Sequence, residues 1–324
     1  MLSKQRIDEL VRNCDHYADM VSRNYRKDDP TGIYAKQLVV QTFRQVFAFE
    51  YPELKWINGG LIDKNTEINE GALSYAYTEI EQVGEAEIIS SNSTDLPMAD
   101  VSGRNNLLPI ESYGIACHYT RQDIRTSRLH GTFDIVQQKV GAAREGHDRR
   151  INRDIVNGVP AKKLRGVVQQ PGIIVQAAPN GTWTESTPVA DIIEDVRSAI
   201  NFVFVNSGGI ETVNHVVFGV TPWSMLNRRL ETGTDVTILS VLKTAFPQIS
   251  RWDYDPEMEV AGPGGTPAAV YYNKSPQRMR AVFPMMMQPT PPEPRGLGFT
   301  ISFESRFGGV MTPRPRSVLF QTGL

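Results

Sequence analysis

Residues 132–158, TFDIVQQKVGAAREGHDRRINRDIVNG, carry the clearest periodic signal in the chain. Phe133, Val136, Val140, Ala143, His147, Ile151 and Ile155 recur every three or four positions, which places them on one stripe of an α-helix. Asn157-Gly158 supplies the stop, because glycine takes the left-handed conformation that closes a helix. The stretch predicts a helix of about 25 residues, roughly 38 Å long at 1.5 Å per residue. Its other face is densely charged, with Arg144, Glu145, Asp148, Arg149, Arg150, Arg153 and Asp154. A helix twice the usual length with one apolar stripe reads as a spine. His147, on that stripe, is expected to be a hydrogen-bonded core histidine.

Upstream the period changes from helical to two. ALSYAYTEIEQ (72–82) alternates Leu73, Tyr75 and Tyr77 against Ser74, Ala76 and Thr78, EAEIIS (85–90) follows Gly84, and SNSTDLPMADVSGRNN (91–106) is polar and turn-rich. This predicts a two-stranded ribbon with little core of its own, marginal in water unless it lies against something else. Further upstream, residues 3–24 read as an amphipathic helix capped by Ser3, and YAKQLVVQTFRQVFAFEYPELKW (34–56) as helical until Pro52. With no third helix to close a bundle, these first residues read as an arm.

Downstream of the spine, an α/β stretch is expected. Thr187-Pro188 is placed as the cap of a helix over 189–203, Thr221-Pro222 as the cap of 223–230 and Thr234 as the cap of 235–246, with a buried strand in VNHVVFGV (213–220). AAVYYN (268–273) and RMRAVFPMMM (278–287) read as strands, PTPPEP (289–294) as a linker and GLGFTISFESRF (296–307) as a further strand. The chain ends in RFGGVMTPRPRSVLFQTGL (306–324). Pro313 and Pro315 lack N–H donors and hold their neighbours extended, so this segment is read as a strap, neither helix nor central sheet. Arg314 and Arg316 suit carboxylates, and Val318, Leu319 and Phe320 need an apolar surface, in their own domain or on a neighbour.

The 324 residues have a net charge of -2, which excludes a broadly basic nucleic-acid-binding surface. Cys14 and Cys117 stand alone, without metal-site spacing, which fits a reducing compartment. The sequence has no signal-peptide pattern at its start and no run approaching the ~20 apolar residues of a membrane span, so no membrane partner is expected. Nucleotide-binding, zinc-protease and serine-hydrolase motifs are missing. AGPGGT (261–266) reads as a turn, since no helix or lysine follows to hold a phosphate. His118, His130 and His147 fall on different elements and do not make a metal set. Asp253, Asp255, Glu257 and Glu259 alternate in WDYDPEMEV (252–260), which reads first as a solvated edge strand and second as an acidic row pairing across an interface. Met285, Met286 and Met287 fit either core or interface. No cofactor and no enzymatic role are expected, an α/β enzyme over 185–275 being the reading from another class.

The order of elements resembles the major capsid proteins of tailed bacteriophages with the Hong Kong 97-type fold, a fold shared with encapsulin nanocompartments. The likeness is carried by YPELKWINGGLIDKNTEINEGALSYAY (51–77), DLPMAD (95–100), the spine followed by LRGVVQQPGI (164–173), and ESRFGGVMTPRPRSV (304–318). The resemblance implies an α+β fold with an N-terminal arm over 1–60, an extended β loop over 61–110, and a peripheral domain over 111–184 containing the spine (about 131–157). An axial α/β domain over 185–275 and C-terminal strands returning to the peripheral domain over 276–324 complete it.

It further implies a protein that assembles into pentamers and hexamers of an icosahedral or prolate shell enclosing double-stranded DNA, met without sequence specificity. An encapsulin-type shell around a cargo enzyme is the alternative. Implied partners are other copies of the chain, a portal protein, and scaffolding or decoration proteins, with assembly in the host bacterial cytoplasm. Met1 and the early spine make a cleaved scaffolding segment unexpected, and Lys64 and Asn65 carry no specific cross-linking signature, so non-covalent assembly is expected. The inter-subunit contact candidates are Leu73, Tyr75, Tyr77, Asp253, Asp255, Arg306, Arg314, Arg316 and Phe320.

Overall fold

The computed structural model describes residues 52–88, 98–130, 135–230 and 235–324. The helices expected before Pro52, Cys14, Phe133, the Thr234 cap and residues 89–97 lie outside them. In chain order the first half holds β1 (Asp63–Asn65), β2 (Ser74–Val83), β3 (Asp100–Pro109), β4 (Glu111–Thr120), α1 (Arg121–His130), α2 (Ile135–Asn157) and β5 (Ile174–Ala177). The second half holds α3 (Val189–Asn206), β6 (His215–Phe218), α4 (Val220–Leu226), α5 (Ile238–Ala245), β7 (Arg251–Tyr254), β8 (Ala268–Tyr272) and β9 (Arg280–Val282). The chain closes with β10 (Met285–Pro289), β11 (Glu293–Arg295), β12 (Gly298–Phe307), β13 (Val310–Met311) and β14 (Val318–Thr322).

The expected spine is α2. Ala143, His147, Ile151 and Ile155 are buried along it, as the stripe requires. It ends at Gly158, whose φ of 63° is the left-handed conformation foreseen for that stop. The chain then doubles back so tightly that Val167 N–H reaches the Ile155 carbonyl at 2.7 Å and Val168 N–H the Val156 carbonyl at 3.1 Å. A Cβ on Gly166 would stand 2.3 Å from the Gly158 nitrogen, so this crossing needs glycine on both strands of the turn. The spine lies on a long antiparallel pair: β4 and β12 run in unbroken register from Gly298↔Thr120 to Phe307↔Glu111. Ser305 on β12 reaches His147 Nε2 at 2.5 Å, which makes His147 the hydrogen-bonded core histidine of the sequence reading.

A five-stranded sheet in the order β5-β14-β8-β6-β7 forms the second body of structure. Successive residues on a strand point to opposite faces, and here both faces are covered. Val318, Phe320, Val270, Tyr272 and Val217 pack toward Trp56, Ile151 and Ile155. Leu319, Tyr271, Val216 and Phe218 pack toward Ile192, Val196 and Leu242 on α3 and α5. The sheet is therefore held between the spine and α3.

Several expectations are corrected. The terminal segment is no strap over a neighbour: β14 sits between β5, parallel, and β8, antiparallel, in the middle of the sheet. The prolines constrain only the residues before it, where Pro315–Ser317 forms a short 3-10 turn. β14 thus joins the sheet of residues 174–272, whereas β10 to β12 join the long sheet beside the spine. RMRAVFPMMM is two strands, interrupted at Phe283-Pro284, and the linker PTPPEP contributes β11 to the edge of β12. The acidic row is not one extended face. β7 ends at Tyr254, and the buried Asp255 caps a 3-10 turn over Pro256–Glu259, accepting from Glu257 N–H at 2.8 Å.

Capping also differs. α4 begins at Val220 after Gly219, because the Glu259 carboxylate takes the Thr221 N–H at 2.9 Å and so draws Thr221 inside the helix. α5 is capped by Thr237, whose side chain accepts from Ser240 N–H. α3 starts after Pro188 with no side-chain cap. Trp56, Ile57, Leu61 and Ile62 pack as core, with the Trp56 ring stacked 6.0 Å from Tyr272 and the Tyr272 hydroxyl donating to the Leu61 carbonyl at 2.7 Å.

Candidate functional site

The surface that the fold leaves unfinished is the ribbon. β2 and β3 pair antiparallel from Ser74↔Pro109 to Val83↔Asp100 and, among the described residues, belong to no larger sheet. Cross-strand partners share a face. One face carries Tyr75 with Leu108 and Tyr77 with Asn106; the other carries Ala76 with Leu107, Ile80 with Gly103, and Gln82 with Val101.

The first face is anchored at its base. Tyr75 is buried, packs with Leu108, Ile110, Val282 and Met311, and donates from its hydroxyl to the Gly308 carbonyl at 3.1 Å. Burial pushes the Tyr75 phenol far above its ordinary value, so it remains a donor. Tyr77 is half-buried beside it, and its phenol too is raised, by burial first and the Glu79 charge second.

The second face has no cover among the described residues. Leu107, Ile80 and Val101 are 69 %, 67 % and 60 % exposed. Three aliphatic side chains on one face of an isolated ribbon are the pattern of a surface awaiting a partner. They were missed as contact residues because Ile80 stands alone in TEIEQ and the register that places Leu107 and Val101 on its face is not local.

The nine sequence candidates fall into two groups. Leu73, Arg306, Arg314, Arg316 and part of Tyr77 are at the surface. Leu73 does not join Tyr75 and Tyr77 on one packed face, as its alternation implied: it lies just before β2, 79 % exposed. Arg306 donates to the Glu70 carbonyl at the foot of the ribbon, and its buried Nε has no partner among the described residues. Arg314 pairs with the buried Glu211 at 3.5 Å, and Glu211 also accepts from Arg278.

Tyr75, Asp253, Asp255 and Phe320 are instead buried within this chain. Asp253 pairs with Lys55 and, at 2.7 Å, with Arg251, which fastens residues 52–62 to the sheet edge. Burial would raise its carboxyl, but the Lys55 hydrogen bond, the Tyr254 N–H and Arg251 outweigh that and hold it below the usual range. Asp255 goes the other way: burial raises it to about 6, and its Oδ2 lacks a partner among the described residues. Phe320 belongs to the core shared by the sheet and the spine.

Ser305, His147 and Asp148 stand in a hydrogen-bonded row, with His147 Nδ1 3.0 Å from Asp148 Oδ1. The row resembles a nucleophile-base-acid set only in its order. Ser305 lies inside the long β12 strand, buried, rather than on an exposed strand-to-helix turn. AGPGGT is the expected turn, with Gly264 and Gly265 at positive φ. Among the described residues no group of three acidic, histidine or cysteine side chains is placed to hold a metal, and no helix is long and apolar enough to cross a membrane.

Known structures match this fold over most of its length. The capsid of Myoviridae Phage XM1 matches with a TM-score of 0.77 at 16 % identity, over 89 % of this chain and 98 % of that one. Mycobacterium phage Adephagia matches with 0.60 at 11 % identity, over 90 % and 96 %. An encapsulin complex from Synechococcus elongatus matches with 0.56 at 9 % identity, over 93 % and 96 %. No curated protein sequence matches. These likenesses give the chain the Hong Kong 97-type fold that its sequence resembled. A family model described as major capsid protein matches residues 84–324, from the distal ribbon through the last strand, and the chain belongs to that family.

Proposed function

We propose that the chain is the repeating subunit of a tailed-phage shell in which the uncovered face of each ribbon lies on the adjacent copy. The observation that carries this reading is the aliphatic face of Ile80, Val101 and Leu107 on a ribbon with no third strand among the described residues. A two-stranded ribbon gains stability only against another surface, and repetition of one such heterologous contact closes rings. Leu73, Arg306, Arg314 and Arg316 are the remaining contact residues in this reading.

Residues 1–51 would be an arm lacing subunits, shorter than the 1–60 first expected because Lys55, Trp56 and Ile57 are packed into the body, with 61–110 the overlying loop and 111–184 the periphery around the spine. Residues 185–275, with β14 added, would form the axial part at the capsomer centre. The shell would enclose double-stranded DNA without reading its sequence, meet a portal protein and any scaffolding or decoration proteins, and assemble in the host bacterial cytoplasm. The role is structural rather than catalytic.

Negative-stain microscopy of the purified chain tests this. Closed shells or ring-shaped capsomers are expected, and particles that remain monomeric at high concentration contradict it. Nuclease-protected DNA in native particles supports a virion; a co-purifying enzyme in a small shell supports a compartment instead.

A further inference from the structure

The ribbon does not lie flush on the body of the subunit. Under its anchored half is a cavity of about 160 Å³, lined from above by Tyr77, Glu79, Arg104 and Asn106 and from below by Arg165 and Thr312. Glu79 sits opposite Arg104 in the register, and its carboxylate is occupied by a 2.8 Å hydrogen bond from Asn106 Nδ2. Among the described residues, the ion pairs on this side, Lys162–Glu111 and Arg314–Glu211, leave both Arg104 and Arg165 out. Both guanidiniums are near enough to the Tyr77 phenol to act on its ionisation, so their charges converge on the cavity.

A second, independent feature points the same way. Thr312 is only 3 % exposed, lines the cavity, and its Oγ1 has no hydrogen-bond partner among the described residues. Buried hydroxyls without partners are rare in folded proteins. Two cations, one carboxylate and one free hydroxyl leave the lining with a net positive charge and a donor to spare, which suits an anion bearing several acceptor oxygens and disfavours a cation. The space is well below the ~300–1,000 Å³ of pockets for drug-sized ligands, which favours a small anion over a nucleotide.

We propose that this cavity is an oxyanion site filled by a phosphate-class tetrahedral anion, which Arg165 and Arg104 hold by charge-assisted hydrogen bonds while Thr312 supplies a third. The anion bridges β3, the loop after the spine and the segment before β14, and so fixes the angle at which the ribbon leaves the body. A carboxylate side chain from a second copy offers the same oxygen chemistry, and the test separates the two sources.

Inorganic phosphate is titrated into the full-length chain at constant ionic strength, with chloride as the balancing anion. At saturation it should raise Tm by about 2–4 °C relative to chloride and broaden the phosphorus-31 resonance. Arg165→Gln and, separately, Thr312→Val should each weaken phosphate binding by about tenfold or more. Thr312→Val keeps the shape of the side chain and carries the comparison if the arginine variant does not fold. Phosphate kept by assembled particles after dialysis supports the free anion. Phosphate bound by unassembled chain but expelled on assembly, with assembly weakened by Arg165→Gln, supports a neighbour's carboxylate in the same site. A response to phosphate no larger than that to chloride, as from a cavity holding water alone, overturns the proposal, as does an unchanged response in both variants.

Discussion

The distal ribbon and the last strand look alike in sequence and end in opposite environments. Both are short extended segments beside turn-forming residues, and both need an apolar surface. β14 finds one inside the chain: strands flank it on both sides, and all five of its residues are buried. Among the described residues β2 has a single strand neighbour, and only Tyr75 of its ten residues is fully buried. The difference lies in the pattern. Val318, Leu319 and Phe320 are consecutive, the mark of a strand covered on both faces, whereas TEIEQ alternates and can be covered on one. In the proposed shell the ribbon is the place where the subunit leaves burial for another copy to complete, whereas the last strand is already buried within the chain.

Deletions give the largest contrast. Removing residues 318–324 takes a central strand out of the sheet and should abolish the cooperative melting transition and the near-ultraviolet circular dichroism. Replacing residues 79–102 by a short glycine-containing turn should leave melting nearly intact yet prevent assembly; shells from that variant would break the contrast. Phe320→Ala should cost about 3–5 kcal/mol in denaturant unfolding, the range for truncating a buried aromatic, and a loss below ~1 kcal/mol would mean the end strand is dispensable.

The body should also be more sensitive to acidity than the ribbon. Asp255 is raised in the folded chain to about 6, so between the ordinary carboxylate range and that value the folded state holds a proton that the unfolded state has released. Stability therefore falls as pH rises through this window, by up to roughly 3 kcal/mol, and the gain is complete below it. In Asp255→Asn, which keeps an acceptor for Glu257 N–H, the slope of stability against pH from 4 to 6 should flatten; an unchanged slope would place the proton elsewhere. The smallest effect on folding is expected from replacing Ile80, Val101 and Leu107 together by serine. Exposed positions change stability by only about 0.5 kcal/mol each, so melting of the unassembled chain should hardly move while assembly fails.

What could be read in the sequence was whatever is set by local periodicity. The spine from Ile135 to Asn157, its stop at Gly158, and the strands β6, β8 and β12 follow from spacing alone. What could not be read depends on distant partners. Asp253 meets Lys55 across 198 positions, so an acid from a row that looked solvated is buried and paired. Pro256 starts a turn that breaks the alternation of the acids, and Glu259, 38 residues from Thr221, moves the start of α4. The site was legible only in part: Tyr75 and Tyr77 were placed on the ribbon, but the aliphatic trio on its other face appears only once β3 is in register.

Hydrogen exchange compared between assembled and unassembled protein addresses the division between ribbon and body most directly. The amides of residues 78–83 and 100–105 should gain strong protection on assembly while those of β14 stay equally protected in both states. Equal protection of the ribbon in both states, or a gain in β14 as large as the ribbon's, would show that neighbours do not complete this surface.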